Sequence, residues 1–303
     1  MPDSTTHNSI DALLPPEMAE RAERVGVEKT RLDTTSLIAL AVLAGAFVAF
    51  GSMFAVVVTA GAEGFLPYGV IRLLGGLVFS LGLILVIVGG AELFAGNNLM
   101  VMAFASGRVG LREILRAWAI VYVGNFVGAT GVALLVFLAA GYAHGGGVVG
   151  IEALKSADGK ASLSALQALI HGALANVLVC LATWLCFSAR TTTDKILAII
   201  LPIAAFSAAG FEHSIANMYL LTFALMTKYA APSAFWSTIG QTPSTFLHLD
   251  VMGSLMNLLW VTIGNMIGGV IVGTTYWFIY LRMRGRHQKD VGASSSVVDG
   301  KRS

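Results

Sequence analysis

The chain alternates long apolar runs with short polar connections, and the runs fall at 36–60, 70–105, 114–141, 163–189, 195–227 and 252–281. A helix needs about 20 apolar residues to cross a bilayer, so each run is long enough to span it once. All six read as helices, because they are continuous and rich in Leu, Ala and Gly. A membrane barrel would instead show alternating segments of about ten residues. The second and fifth runs are too long for one simple span, and each carries a polar insert. These are Gly90-Ala91-Glu92-Leu93-Phe94-Ala95-Gly96-Asn97 and Gly210-Phe211-Glu212-His213-Ser214-Ile215-Ala216-Asn217, both G-x-E-x-x-x-small-N. A charged group at the centre of a bilayer costs about 2.5–3.5 kcal/mol even on the lenient insertion scale. A doubled break in corresponding places predicts interrupted second and fifth helices meeting near the midplane of an inverted-repeat transport protein.

A second echo supports a division into three plus three spans. Gly124-Asn125-Phe126-Val127-Gly128 matches Gly264-Asn265-Met266-Ile267-Gly268, and its glycines are read as close-packing positions between helices. The expected organisation is an N-terminal arm at 1–34 and a transmembrane region at 35–282 with repeats 35–142 and 162–282. A disordered, Ser- and Gly-rich tail at 283–303 completes it.

Composition agrees with the pattern. The chain is 56% hydrophobic and 12% charged, with a mean hydropathy of +0.78, against about 45–50% and about 25% in soluble domains. The net charge of +2 is too small to argue for a nucleic-acid partner. Fifteen of the nineteen Lys and Arg fall in the arm, the second and fourth connections and the tail, which predicts cytoplasmic termini by the positive-inside rule. The arm lacks a basic segment running into a short apolar stretch, so no removable signal peptide is expected. The arm reads as a short helix with Met18, Ala22 and Val25 on one face, an interfacial anchor. Cys180 and Cys186 share one apolar run and read as buried filler without a disulfide.

His213 breaks the symmetry of the two inserts, because Leu93 stands in its place in the first copy. An ionisable ring inside a membrane is a functional candidate, and imidazole titrates near neutral pH. Glu92 and Glu212 read as holders of the breaks, pairing with backbone donors at half-helix ends or carrying a proton. Asn97 and Asn217 read as partners of freed backbone groups. His171, early in the fourth span, is expected to be interfacial or packed.

Four strings, Gly89-Gly90-Ala91-Glu92-Leu93-Phe94, Asp194-Lys195, Gly210 to Met218 and Val261-Thr262-Ile263-Gly264-Asn265, resemble the bacterial formate/nitrite transporter family, most of all its formate-channel branch. The resemblance runs from about Leu13 to the end of the sixth span. It implies an all-α membrane protein of six transmembrane helices with an aquaporin-like fold. It also implies a homopentamer in the bacterial cytoplasmic membrane, with a pore in each protomer for small monovalent anions or their acids. By the same resemblance His213 is the central pore histidine, and Leu93, Phe79, Leu83 and Phe206 form hydrophobic constrictions around it. Lys160 belongs to the outer vestibule, and Asn176 and Asn217 lie near the histidine. The family usually has Thr where this chain has Ala95, and Asn97 or Asn98 stands close enough in sequence to take part of that role.

The expected function is passage of formate, with nitrite as the alternative anion, coupled to proton sharing at His213. No cofactor or metal is expected. An intramembrane hydrolase is disfavoured, because Ser214 and His213 are adjacent and would point about 100° apart on a helix. No G-x-S-x-G turn or H-E-x-x-H pair is present either.

Overall fold

The computed structural model describes residues 12–282, so the expected disordered tail lies outside the described residues. Every regular element among the described residues is helical. α1 (Pro15–Thr30) begins on prolines, which suit a first turn whose N–H groups have no helical partner. α2 (Thr34–Thr59) is capped by Asp33, whose carboxylate accepts from the Ser36 N–H at 3.0 Å. The Ser36 side chain, and after it that N–H, hold Asp33 below the usual carboxylate range. There follow α3 (Tyr68–Gly89), α4 (Phe94–Asn97), α5 (Val101–Ala105), α6 (Leu111–Leu138), α7 (Val148–Ala161) and α8 (Ala165–Ser188). The chain continues through α9 (Thr192–Ala208), α10 (Ser214–Ala230), α11 (Ser233–Ile239) and α12 (Val251–Tyr276), which ends in a π turn at Trp277–Leu281.

α2, α3, α6, α8 and α12 are long and apolar enough to cross a membrane. The two overlong runs resolve differently. The fifth divides into α9 and α10, each of 17 residues. The second contains a full-length α3 of 22 residues followed by a shorter apolar segment, Phe94–Ala105. Both runs leave the helix at a glycine in the left-handed region, Gly90 at φ 79° and Gly210 at φ 76°, where a side chain would be strained. One residue later the Ala91 N–H donates to the Val86 carbonyl and the Phe211 N–H to the Phe206 carbonyl, closing the same reverse turn twice.

The helices pack in two corresponding sets, α2 against α3 and α6, and α8 against α9 and α12. The small residues of the second echo sit at these crossings. A Cβ on Gly128 would fall on the Val42 carbonyl oxygen of α2, and one on Gly268 would fall on the Ala173 carbonyl oxygen of α8. α1 is packed on protein rather than lying as a free anchor: Met18, Ala19, Ala22 and Gly26 are buried. Arg21 Nη1 donates to the Phe187 carbonyl at 2.9 Å, and the Ser188 hydroxyl donates to the Leu13 carbonyl at 2.9 Å. Both cysteines are buried and free.

Candidate functional site

Where α9 gives way to α10, a non-helical stretch exposes backbone groups that lipid could not satisfy. The chain satisfies them with side chains from distant helices. Asn265 Oδ1, on α12, accepts from the Ser214 N–H at 2.9 Å, and its Nδ2 donates to the Gly172 and Glu212 carbonyls at 2.8 and 3.0 Å. Lys160 Nζ, at the end of α7, donates to Glu212 Oε1 at 2.8 Å. Asn217 Nδ2 donates to Glu212 Oε2 at 2.6 Å and to Asn257 Oδ1 at 2.8 Å, and Asn257 Nδ2 donates to the Lys160 carbonyl at 2.9 Å. His213 is the N-cap of α10: its Nδ1 accepts from the Ala216 N–H at 3.2 Å. With Nδ1 as acceptor, the one proton of the neutral ring resides on Nε2.

The α3–α4 break is tied in the same manner. Asn125 Oδ1, on α6, accepts from the Phe94 N–H at 2.9 Å, and its Nδ2 donates to the Ala41 and Glu92 carbonyls at 2.7 and 2.9 Å. Lys29 Nζ, in the last turn of α1, donates to Glu92 Oε2 at 2.9 Å and to Asn97 Oδ1 at 2.7 Å. Asn97 Nδ2 donates to Glu92 Oε2 at 2.8 Å. At the N-cap, Leu93 offers no hydrogen bond.

Two cavities approach these breaks from opposite ends of the helices. One, of about 250 Å³, touches α3 from Leu83 onward, the end of α8 at Thr183 and the start of α9 at Lys195; Arg21, Lys29 and Glu92 also line it. The other, of about 380 Å³, touches α3 from Tyr68 to Phe79, α8 at His171 and the end of α9 at Phe206; Arg72, Lys160 and Glu212 line it. Phe79, Phe206 and His213 border the second cavity and Leu83 and Leu93 the first. All five are buried. Phe79 and Phe206 meet edge to face at 5.4 Å between centroids, and Phe206 lies 6.1 Å from the His213 ring. Phe79, Leu83, Leu93 and Phe206 belong to one buried apolar cluster that reaches both cavities, and the His213 imidazole lies on the wall of the second.

This geometry can be set beside known proteins. A family profile described as formate/nitrite transporter matches residues 16–278. The chain belongs to the formate/nitrite transporter family. It is 43% identical over 282 residues to the formate channel FocA of Escherichia coli K12, covering 92% of this chain and 99% of that one. It is 35% identical to FocA of Haemophilus influenzae, covering 86% and 92%. Among solved structures, a pentameric formate channel with formate bound superposes with a TM-score of 0.78 at 42% identity, covering 82% of this chain and 98% of that one. The family is one of transporters rather than enzymes. The Ser214 hydroxyl is buried and makes no hydrogen bond among the described residues.

Within this transporter-family chain, the structure gathers His213, Phe206, Phe79, Lys160 and Asn217 at one cavity and Leu83, Leu93, Glu92 and Asn97 at the other. Asn176 borders neither: its Nδ2 donates to the Asn265 and Ala95 carbonyls at 2.6 and 3.3 Å. The Ala95 carbonyl also accepts from Asn98 Nδ2 at 3.2 Å. Asn97 and Asn217 donate to carboxylates, not to freed backbone groups, and the glutamates pair with lysines rather than with helix-end donors. Sequence reasoning missed Lys29 and read the second echo only for its glycines. The signal for Asn125 and Asn265 was available, since a matched amide inside two apolar helices needs a partner as much as a carboxylate does.

Proposed function

We propose that this protein is a channel or transporter for small monovalent weak-acid anions, above all formate, with pH-dependent passage through proton sharing at His213. The observation that carries the reading is the buried His213 imidazole on the wall of one charged cavity, beside an apolar cluster that reaches a second and that we read as the barrier between them. Identity of 43% to a formate channel and likeness to a channel with formate bound support formate as the anion.

By the positive-inside rule the cavity with Arg21, Lys29 and Lys195 faces the cytoplasm, as do both termini, and the cavity with Lys160 faces outward. The site residues then act as the family resemblance implies. Leu93, Leu83, Phe79 and Phe206 form the constrictions, Lys160 draws anions inward, and Asn176 and Asn217 support the environment of His213. The corresponding bonds of Asn125 and Asn265 support an inverted 3+3 repeat of aquaporin-like design, with interrupted second and fifth spans. The pentameric relative supports a homopentamer in the cytoplasmic membrane, embedded in lipid.

A bare anion would shed hydration in the barrier that apolar walls cannot replace. A carboxylic acid of pKa about 4 is only about one part in a thousand neutral at pH 7, so a proton supplied within the pore changes the flux. The neutral His213 ring presents its Nε2–H to a carboxylate oxygen. When the ring gains a second proton at Nδ1, the Ala216 N–H loses its acceptor, which favours prompt release. The Nε2–H bond then breaks as an O–H bond forms on the anion, leaving a neutral acid and a neutral ring. Proton exchange with water from Nδ1 back to Nε2 restores the cap.

Stopped-flow flux into proteoliposomes, with formate, nitrite, lactate and hydrosulfide at two outer pH values, tests the reading. Formate should pass fastest, and His213→Phe should abolish the pH dependence of uptake. An unchanged pH response in that variant would overturn the mechanism, and nitrite outrunning formate would reassign the anion.

A further inference from the structure

His171 is an imidazole that the mechanism above does not use. It lies on α8 and lines the outward cavity together with His213, and its ring meets Phe211 edge to face at 6.0 Å between centroids. Its backbone carbonyl accepts from the Glu212 N–H at 3.4 Å, so both rings hang from the same knot. Nδ1 of His171 is buried with no hydrogen-bond partner among the described residues. A buried polar atom left without a partner in a folded protein calls for an explanation.

The other charges of this cavity are largely committed. Lys160 faces Glu212 at 2.8 Å. Glu63 accepts from Lys155 at 2.9 Å. Arg72 aims Nη2 and Nε at the Ser207 and Ala208 carbonyls, at 2.6 and 3.3 Å. Glu152 accepts from the Thr59 hydroxyl at 3.3 Å, and burial pushes its carboxyl above the usual range. His213 spends Nδ1 on its helix cap. Tyr68, the remaining titratable group on the wall, supplies no cation at any pH. His171 is therefore the imidazole of this cavity whose side chain makes no hydrogen bond among the described residues, so it has none to give up to a ligand.

We propose that His171 forms an anion station in the outward cavity, binding a small carboxylate through its protonated ring before the anion reaches His213. The station rests on the outward orientation and the weak-acid cargo proposed above. It concentrates the anion beside the barrier when the outside is acidic, and falls silent when the ring is neutral. Binding alone is involved: the anion's oxygen accepts from the imidazolium, and no bond to carbon forms or breaks.

Because the tie to Glu212 uses the His171 backbone, side-chain changes leave it in place. Formate uptake into proteoliposomes should fall about threefold or more at outer pH 5.5 in His171→Leu, as loss of a charge-assisted hydrogen bond predicts, and stay near wild type at pH 8. His171→Gln, which keeps hydrogen bonding but not the charge, should behave like His171→Leu. Two variants with the wild-type pH profile would overturn the station, and so would a uniform slowing at every pH, which marks a packing role. In nanodiscs, the imidazole nitrogen signals of His171 should move on adding formate at pH 5.5. No movement overturns the station. Movement in a protein that carries no formate flux upholds the station while the transport reading fails.

Discussion

The two breaks share their leading glycine, their glutamate and their closing asparagine, and differ at the capping residue. Each leaves a helix at a left-handed glycine, each is pinned by an asparagine from a helix outside its own run, and each ties a glutamate to a lysine and an asparagine. At the N-cap the first offers Leu93, with no side-chain bond, and the second offers His213, bonded to the Ala216 N–H. The lesson is that the polar residues shared by both copies hold the backbone where lipid cannot, while the capping residue, Leu93 in one and His213 in the other, differs and borders a cavity.

If the asparagine pins are equivalent, Asn125→Leu and Asn265→Leu should be the most damaging changes. Each removes the side-chain partner of one buried N–H and two carbonyls, and at about 1–3 kcal/mol per orphaned group the loss is about 3–9 kcal/mol. Thermal unfolding of the detergent-solubilised protein reads this directly, and a break that tolerates its substitution would end the equivalence.

Next in size come Glu92→Gln and Glu212→Gln, each leaving a part-buried lysine without its counter-charge at about 2 kcal/mol, between exposed and buried pairs. Their consequences should diverge. Glu92→Gln should speed hydrogen exchange in α1, because Lys29 is the tie between that helix and the break. Glu212→Gln should leave α1 exchange unchanged and slow anion uptake instead. Equal exchange in the two variants would mean that α1 docks without this pair.

The smallest stability effect is expected for His213→Asn. Asparagine is a good N-cap, so stability should change by no more than about 0.5 kcal/mol. Uptake should nevertheless lose its pH dependence, as with His213→Phe. Retained pH dependence in His213→Asn would show that the cap, and not the ring proton, is what the second break contributes.

The breaks were legible because a carboxylate, an amide and a glycine together are conspicuous in an apolar run. Gly90 and Gly210 mark where the helices stop, for a reason that belongs to glycine alone. The partners were not legible in the same way. Lys29 stands 63 residues from Glu92, and Asn265 stands 51 from the Ser214 N–H it accepts. Nothing local distinguishes Lys29 from the other bases of the arm. His171 likewise read as an interfacial or packed residue, and only the cavity wall makes it a neighbour of His213.

The sequence by itself determined the apolar spans, the positions of the two breaks and the place where one copy has an ionisable ring and the other a leucine. Hydrophobic length, glycine conformation and the cost of charge in lipid act on a residue wherever it folds. Tertiary structure alone decided which lysine answers which glutamate, that Lys29 joins α1 to the first break, and that Phe79, Leu83, Leu93 and Phe206 share one buried cluster touching two cavities, with His213 on the wall of one. Those outcomes depend on which helices lie side by side, and hydrogen bonds and ion pairs act only over the few ångströms that packing sets.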